Sequence, residues 1–322
     1  MEEHVKPNSL KAWFLASRPK TWAAAIAPVI VGSALAYHHH SFKPIAALCC
    51  LLFAVAMQIA ANLINDLYDF LKGSDREDRL GPLRATAQGW ILPSAMKKGI
   101  IAVIALGCIC GSVLIYYAGW QMIFVGLFCV VFAYLYTSGP FPLAYNGLGD
   151  IAVILFFGLI AVGFTAYVQV CQWDRSFILC GLATGLVVNT LLVLNNYRDR
   201  EQDEISGKRT SVVLLGERFG RYLYLLMGIL AVILITKYVF NFSYIKFPQL
   251  LGSLVNTDSI LPTIAKFAAF PILICIYLIP HVNTWLKICE IRSGERLNSM
   301  IGETSRNMIL FAATLTITLC LH

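Results

Sequence analysis

Long apolar stretches alternate with short polar ones along almost the whole chain. Apolar runs of membrane-spanning length, about 20 residues each, fall at roughly 22–38, 45–68, 97–117, 121–138, 150–169, 176–196, 221–241, 260–281 and 305–321. Each predicts a transmembrane helix by length and hydropathy. The eighth run contains Pro262, Pro271 and Pro280, which predict a broken or tilted helix. The connection over 242–262 contains Pro248, Gly252 and Pro262 and is expected to be irregular. No hydrophilic block is large enough for a second domain, so residues 1–322 read as one all-α membrane domain, a bundle of about nine helices.

The cations orient this bundle. Counted over alternate polar segments, twenty of the 25 Lys and Arg lie on one side and five on the other. By the positive-inside rule the N-terminus is then cytoplasmic and the C-terminus outside. Composition agrees with a membrane protein: 58% of the 322 residues are hydrophobic and 13% charged, against about 25% charged in soluble domains. The net charge of +7 mostly reflects this asymmetry and gives no reason to invoke nucleic acid. Met1 to Lys20 is polar and unlike a cleaved signal peptide. The ten cysteines lie mostly inside apolar runs, a pattern of core filler rather than of a disulfide or metal framework.

Two polar stretches do not fit a purely structural reading. Asn62, Asp66 and Asp69 stand at i, i+4 and i+7 and share a helix face, with Asn65 one residue off it. About 130 residues later, Asn195, Asp199 and Asp203 stand at i, i+4 and i+8. Each set closes an apolar run on the predicted cytoplasmic side. Each is followed by a glycine turn and by cations: Lys72, Arg76, Arg79 and Arg84 after the first, Lys208, Arg209, Arg218 and Arg221 after the second. This parallel suggests a weak internal duplication.

A carboxylate at the centre of a membrane helix costs roughly 2.5–3.5 kcal/mol by insertion scales, and less toward the interface. Four carboxylates converging there repel one another unless hard divalent cations join them. Mg²⁺ prefers oxygen ligands and commonly shares its site with phosphate oxygens. The flanking Lys and Arg suit an anion with more charge than the metal neutralises. The implied substrate is a phosphate or diphosphate on a membrane-compatible body, such as an isoprenoid diphosphate. The alternative of an ion-coupled transporter predicts charges spread along several helices near the midplane. Here they collect at one end.

At these residues the sequence resembles the UbiA superfamily of membrane prenyltransferases, and within it the 1,4-dihydroxy-2-naphthoate polyprenyltransferase branch of menaquinone biosynthesis. The matching segments begin with Ser17-Arg18-Pro19-Lys20-Thr21, Asn65-Asp66-x-x-Asp69 and Gly81-Pro82-Leu83-Arg84. They continue with Tyr136-Thr137-Ser138-Gly139-Pro140, Gly147-Leu148-Gly149-Asp150, Asn195-Asn196-x-Arg198-Asp199-x-x-x-Asp203 and Gly207-Lys208-Arg209-Thr210. They run from about residue 17 to 216, and the last third carries no usable motif.

The resemblance implies a helical bundle around a lipid-open cavity, with Mg²⁺ held between the two motifs by a polyprenyl diphosphate. Asn62, Asp66 and Asp69 would serve one metal, Asp199 and Asp203 the other, with Asn65 and Asn195 as secondary ligands or positioners. Arg18, Lys20, Lys72, Lys208 and Arg209 are the candidate diphosphate clamps. An allylic cation needs aromatic faces, for which Phe132, Tyr136, Tyr145, Phe156, Phe157, Phe164 and Tyr167 are candidates. The segment Ser138 to Asp150 contains no Lys or Arg, unlike the 4-hydroxybenzoate branch, which argues against 4-hydroxybenzoate as acceptor. Asp150 either orients an acceptor hydroxyl, acts as a base toward it, or is a helix N-cap. Asn146 stands where the branch pattern has His. A bacterial inner-membrane location follows from the same resemblance.

Overall fold

The computed structural model describes residues 5–73, 80–253 and 276–321. It is built of helices: α1 (Leu10–Ala16), α2 (Ala23–His38), α3 (Pro44–Leu71), α4 (Pro93–Ala118), α5 (Gln121–Thr137), α6 (Gly149–Val170), α7 (Arg175–Ile205), α8 (Ser211–Leu215), α9 (Glu217–Ser253), α10 (276–291) and α11 (Leu297–Leu321). Eight of the nine predicted runs fall on helices. The eighth lies outside the described residues except for its end, which opens α10 and includes Pro280. Among the described residues five helices are long and apolar enough to cross a membrane, or six if α1 and α2, bent by 54° at their junction, form one span. The connection expected to be irregular over 242–262 is helical as far as Ser253, because α9 continues through Pro248; residues 254–262 lie outside the described residues.

Local signals set the helix ends. Pro44 and Pro93 open α3 and α4 at a position whose amide has no intrahelical partner. Asp174 caps α7 by accepting from the Ser176 amide at 2.7 Å. The long helices differ in burial. Most of the apolar stretch of α4 is left uncovered by the protein and so faces lipid, whereas most of the apolar stretch of α7 is buried against its neighbours. The second Asn/Asp motif therefore rides on a buried helix.

Between membrane helices there is little hydrophobic drive to associate, so close packing of small residues carries more of the contact. α6 and α7 show this. A Cβ on Gly158 would lie 2.8 Å from the Gly185 Cα, and one on Gly181 would lie 3.2 Å from the Gly158 carbonyl oxygen. Within α6, residues Ile154–Ile160 are wound as π-helix. The main core joins α2, α6, α7, α9, α10 and α11; a second cluster joins α1, α3, α4 and the loop before α4.

Candidate active site

A cavity of about 660 Å³ opens between α2, α3, α4, α5, α6 and α7. Its polar end is lined by Arg18, Asn62, Asn65, Arg84, Asp199 and Lys208, and its apolar end by residues such as Phe53, Leu114, Met122 and Phe164. Asn65 and Cys50, both on the wall of α3, are 15 residues apart, which at 1.5 Å per residue is about 22 Å of helix. The cavity thus joins a charged mouth to a long hydrophobic berth.

The break between α1 and α2 supplies one wall of the polar end. Arg18 takes a left-handed backbone (φ 53°), uncommon for a side chain with a Cβ. Three hydrogen bonds hold the turn around it. Asn62 Nδ2 donates to the Ser17 carbonyl and to Thr21 Oγ1, both at 3.0 Å, and Trp22 Nε1 donates to the Ser17 carbonyl at 3.0 Å. Asn62 lines the cavity with its amide nitrogen committed to this turn.

The segment Leu80–Leu92 forms a strap across the first motif. Asp66, 1% exposed, accepts from the Ala85 and Thr86 amides, both at 2.9 Å. Asp69 accepts from Arg84 Nη2 at 2.8 Å and from the Tyr145 hydroxyl at 2.9 Å. Arg84 also donates to Asn65 Oδ1 at 3.3 Å. On the second motif, Arg198 holds Asp199 through two parallel bonds, Nε to Oδ1 at 2.7 Å and Nη2 to Oδ2 at 2.6 Å, a strong charge-assisted geometry. Lys208 Nζ lies 3.5 Å from Asp203 Oδ1, while Asp203 Oδ2 is buried with no hydrogen-bond partner.

Tyr145 links the two halves. Its hydroxyl binds Asp69, its ring lies under Lys72 Nζ (4.3 Å) and near Lys208 Nζ (5.7 Å), and its carbonyl accepts from the Arg209 amide at 3.1 Å. Lys72 also donates to the Thr137 carbonyl at 2.7 Å. Partial burial, reinforced by Lys208, lowers the Lys72 pKa below the usual lysine value, with Asp69 opposing.

Of the residues singled out from the sequence, Arg18, Asn62, Asn65, Tyr136, Asp150, Asn195, Asp199 and Lys208 line the cavity. Asp66, Asp69 and Asp203 are buried behind its wall, and Lys20, Lys72 and Arg209 are exposed off it. The carboxylates of the two motifs are divided between separate partners rather than gathered in one cluster. Among the described residues no three His, Cys, Asp or Glu side chains stand close enough to share one ion. Each carboxylate has its own donor: two backbone amides for Asp66, Arg84 for Asp69, Arg198 for Asp199 and Lys208 for Asp203. The donor set still suits Mg²⁺, which takes oxygen ligands and completes its shell with water and phosphate. The orphaned Asp203 oxygen is a natural acceptor for a cation.

Asp150 is not a helix cap. The N-cap of α6 is Leu148; Asp150 lies in the first turn, and its carboxylate accepts from Asn189 Nδ2 at 2.9 Å. Sequence reasoning missed Asn189, Arg198 and Asn298 as participants. Asn298 accepts from Arg198 Nη1 at 3.0 Å and donates to the Leu80 carbonyl at 2.7 Å, so α11 ties the strap to the second motif. Arg198 stood in the matching segment as a signal; Asn298 had none.

Fold and site together define an integral membrane protein whose cavity pairs a charged mouth with an apolar berth. The chain belongs to the UbiA prenyltransferase family, whose model matches residues 25–257. It is 40% identical over 222 residues to the 1,4-dihydroxy-2-naphthoate octaprenyltransferase of Haemophilus influenzae, covering 66% of this chain and 72% of that one. It is 40% identical over 226 residues to the enzyme of the same name from Escherichia coli K12, covering 68% and 73%. The fold matches a solved UbiA homolog from Archaeoglobus fulgidus bound to GPP and Mg²⁺, with a TM-score of 0.62 at 18% identity over 96% of this chain and 99% of that one.

Proposed function

We propose that this protein transfers a polyprenyl group from a prenyl diphosphate to 1,4-dihydroxy-2-naphthoate, with loss of diphosphate and CO₂. The observation that carries this reading is the cavity that joins Asp199, Lys208 and Arg18 to an apolar berth long enough for an isoprenoid chain. The relatives named above support the naphthoate acceptor.

Asn62, Asp66, Asp69, Asp199 and Asp203 would hold Mg²⁺, with Asn65 and Asn195 beside them. Bound there, the metal offsets the charge that builds on the leaving diphosphate. Arg18 and Lys208 face the cavity and bind the same anion; Lys20, Lys72 and Arg209 reinforce the positive field around its mouth. The allylic cation left behind needs a dry site with electron-rich faces. Phe132 and Phe156 stack at 3.3 Å between ring centroids, with Tyr136 5.9 Å from Phe132. Asp150 accepts the proton of an acceptor hydroxyl as a ring carbon attacks the cation. The carboxylate then leaves as CO₂, its bonding electrons return to the ring, and the proton goes back to oxygen.

The assay is transfer by purified protein in detergent, with a long-chain prenyl diphosphate and either 1,4-dihydroxy-2-naphthoate or 4-hydroxybenzoate. A prenylated, decarboxylated naphthalene is the expected product; product from 4-hydroxybenzoate alone would overturn the acceptor assignment. EDTA is expected to stop turnover and excess Mg²⁺ to restore it; turnover undiminished by EDTA would remove the metal from the reading. In a bacterial inner membrane the Asp motifs face the cytoplasm. A cysteine-reactive or protease-sensitive tag at the C-terminus is then expected to react only from outside the cell, and reaction from inside would refute this orientation.

A further inference from the structure

One contact pattern between α6 and α7 goes beyond packing. Asp150, Ile154 and Gly158 follow one another along α6; Gly181, Gly185 and Asn189, spaced i, i+4 and i+8, lie along α7. The two sets meet antiparallel. Gly181 packs on Gly158, a Cβ on Gly185 would lie 2.6 Å from the Ile154 carbonyl oxygen, and Asn189 reaches Asp150 at 2.9 Å. Without side chains at 158, 181 and 185 the backbones come close enough for a short Asn side chain to bridge them. Asn189 is fully buried, at 0% exposure, and its Oδ1 has no hydrogen-bond partner. Its packing alone would be served as well by Leu, so an amide kept there at the cost of an unsatisfied oxygen is kept for its donor. That donor is used on the one carboxylate lining this part of the cavity.

We propose that Asn189 is a positioning residue for the acceptor half of the reaction, holding Asp150 through one oxygen so that the other stays turned to the cavity. The inference rests on the reading of Asp150 as proton acceptor. In the sequence of events, the C–O bond of the donor breaks with its electron pair leaving on diphosphate. The ring π electrons form the new C–C bond, and the hydroxyl proton passes to Asp150. When Asp150 is misplaced, ionisation of the donor proceeds but capture by the ring is slowed. Water then intercepts the cation, giving prenol and a proton.

The test is the ratio of diphosphate released to prenylated product, measured with the full-length enzyme, together with the KM for the prenyl diphosphate. Asn189→Leu removes the donor; Asn189→Asp keeps the shape, but two adjoining carboxylates share a proton and Asp150 is no longer a free acceptor. Both are expected to lower transfer by roughly tenfold to a hundredfold, leave the donor KM within about twofold, and raise the ratio above that of the native enzyme. Transfer within about twofold of native in either folded variant would overturn the proposal. So would a donor KM rising in step with the loss while the ratio stays native, which is the result of a structural role. Asn189→Asp, being isosteric, decides the question if Asn189→Leu does not fold. Asp150→Asn separates the two levels: native transfer there removes Asp150 as base, whereas loss there with intact Asn189 variants removes only the positioning role.

Discussion

Asp199→Asn is expected to lower prenyl transfer on the order of 10³-fold while the protein still inserts and folds. Asp199 is the one carboxylate of the two motifs that lines the cavity, and Arg198 fixes it there by a two-bond fork. The amide removes a charge from the polar end and turns an N–H toward a guanidinium that can only donate. Arg198 keeps its bond to Asn298, so the packing of α7 against α11 survives. Asp66→Asn is expected to be as inactive for a different reason. Both Asp66 oxygens accept from the strap amides of Ala85 and Thr86, and an asparagine can accept only one of these. Hydrogen exchange at Ala85 and Thr86 distinguishes the two variants. It should accelerate in Asp66→Asn and stay native in Asp199→Asn. Near-native transfer in Asp199→Asn would sink the site assignment, and native protection in an inactive Asp66→Asn would assign the loss to the proposed place of Asp66 at the metal rather than to the strap.

The helices and the two polar faces were legible because both are local. Membrane length and i, i+4 spacing need nothing beyond neighbouring residues, and α3 and α7 carry Asn62 to Asp69 and Asn195 to Asp203 as that spacing predicts. What spacing could not supply is which donor each carboxylate meets. Arg84 reaches Asp69 from 15 residues away, Tyr145 from 76, and Asn298 reaches Arg198 across 100. Such pairings depend on how the helices assemble. The same limit applies to Asp150. An aspartate at the start of a helix reads equally as a cap or as a functional carboxylate. The structure puts Leu148 at the cap and leaves the Asp150 carboxylate to Asn189, a partner that the glycine-mediated approach of α7 brings to it. The helical continuation of α9 beyond the predicted span shows the converse, since proline and glycine at 248 and 252 marked a break that the helix does not make before Ser253.

Arg84→Ala is expected to cost about 3–5 kcal/mol of stability and to reduce transfer by at least two orders of magnitude. Arg84 and Asp69 are 3% and 4% exposed, so the change leaves a carboxylate buried without its guanidinium. Surface ion pairs contribute little, but removing one partner of a buried pair exposes the other to the full desolvation penalty. The strap then loses a side-chain tie to the first motif, and Asn65 loses the donor at its oxygen. A double variant separates the two effects. Asp69→Asn combined with Arg84→Met removes the charge together with its partner, and is expected to recover more than half of the lost stability in a detergent melt. It should recover none of the activity, because the carboxylate and the cavity-lining cation are both gone. Full recovery of transfer in the double variant would make the pair a fastening of the strap alone. Equal instability of the single and double variants would mean that Arg84 acts through packing of its stem rather than through Asp69.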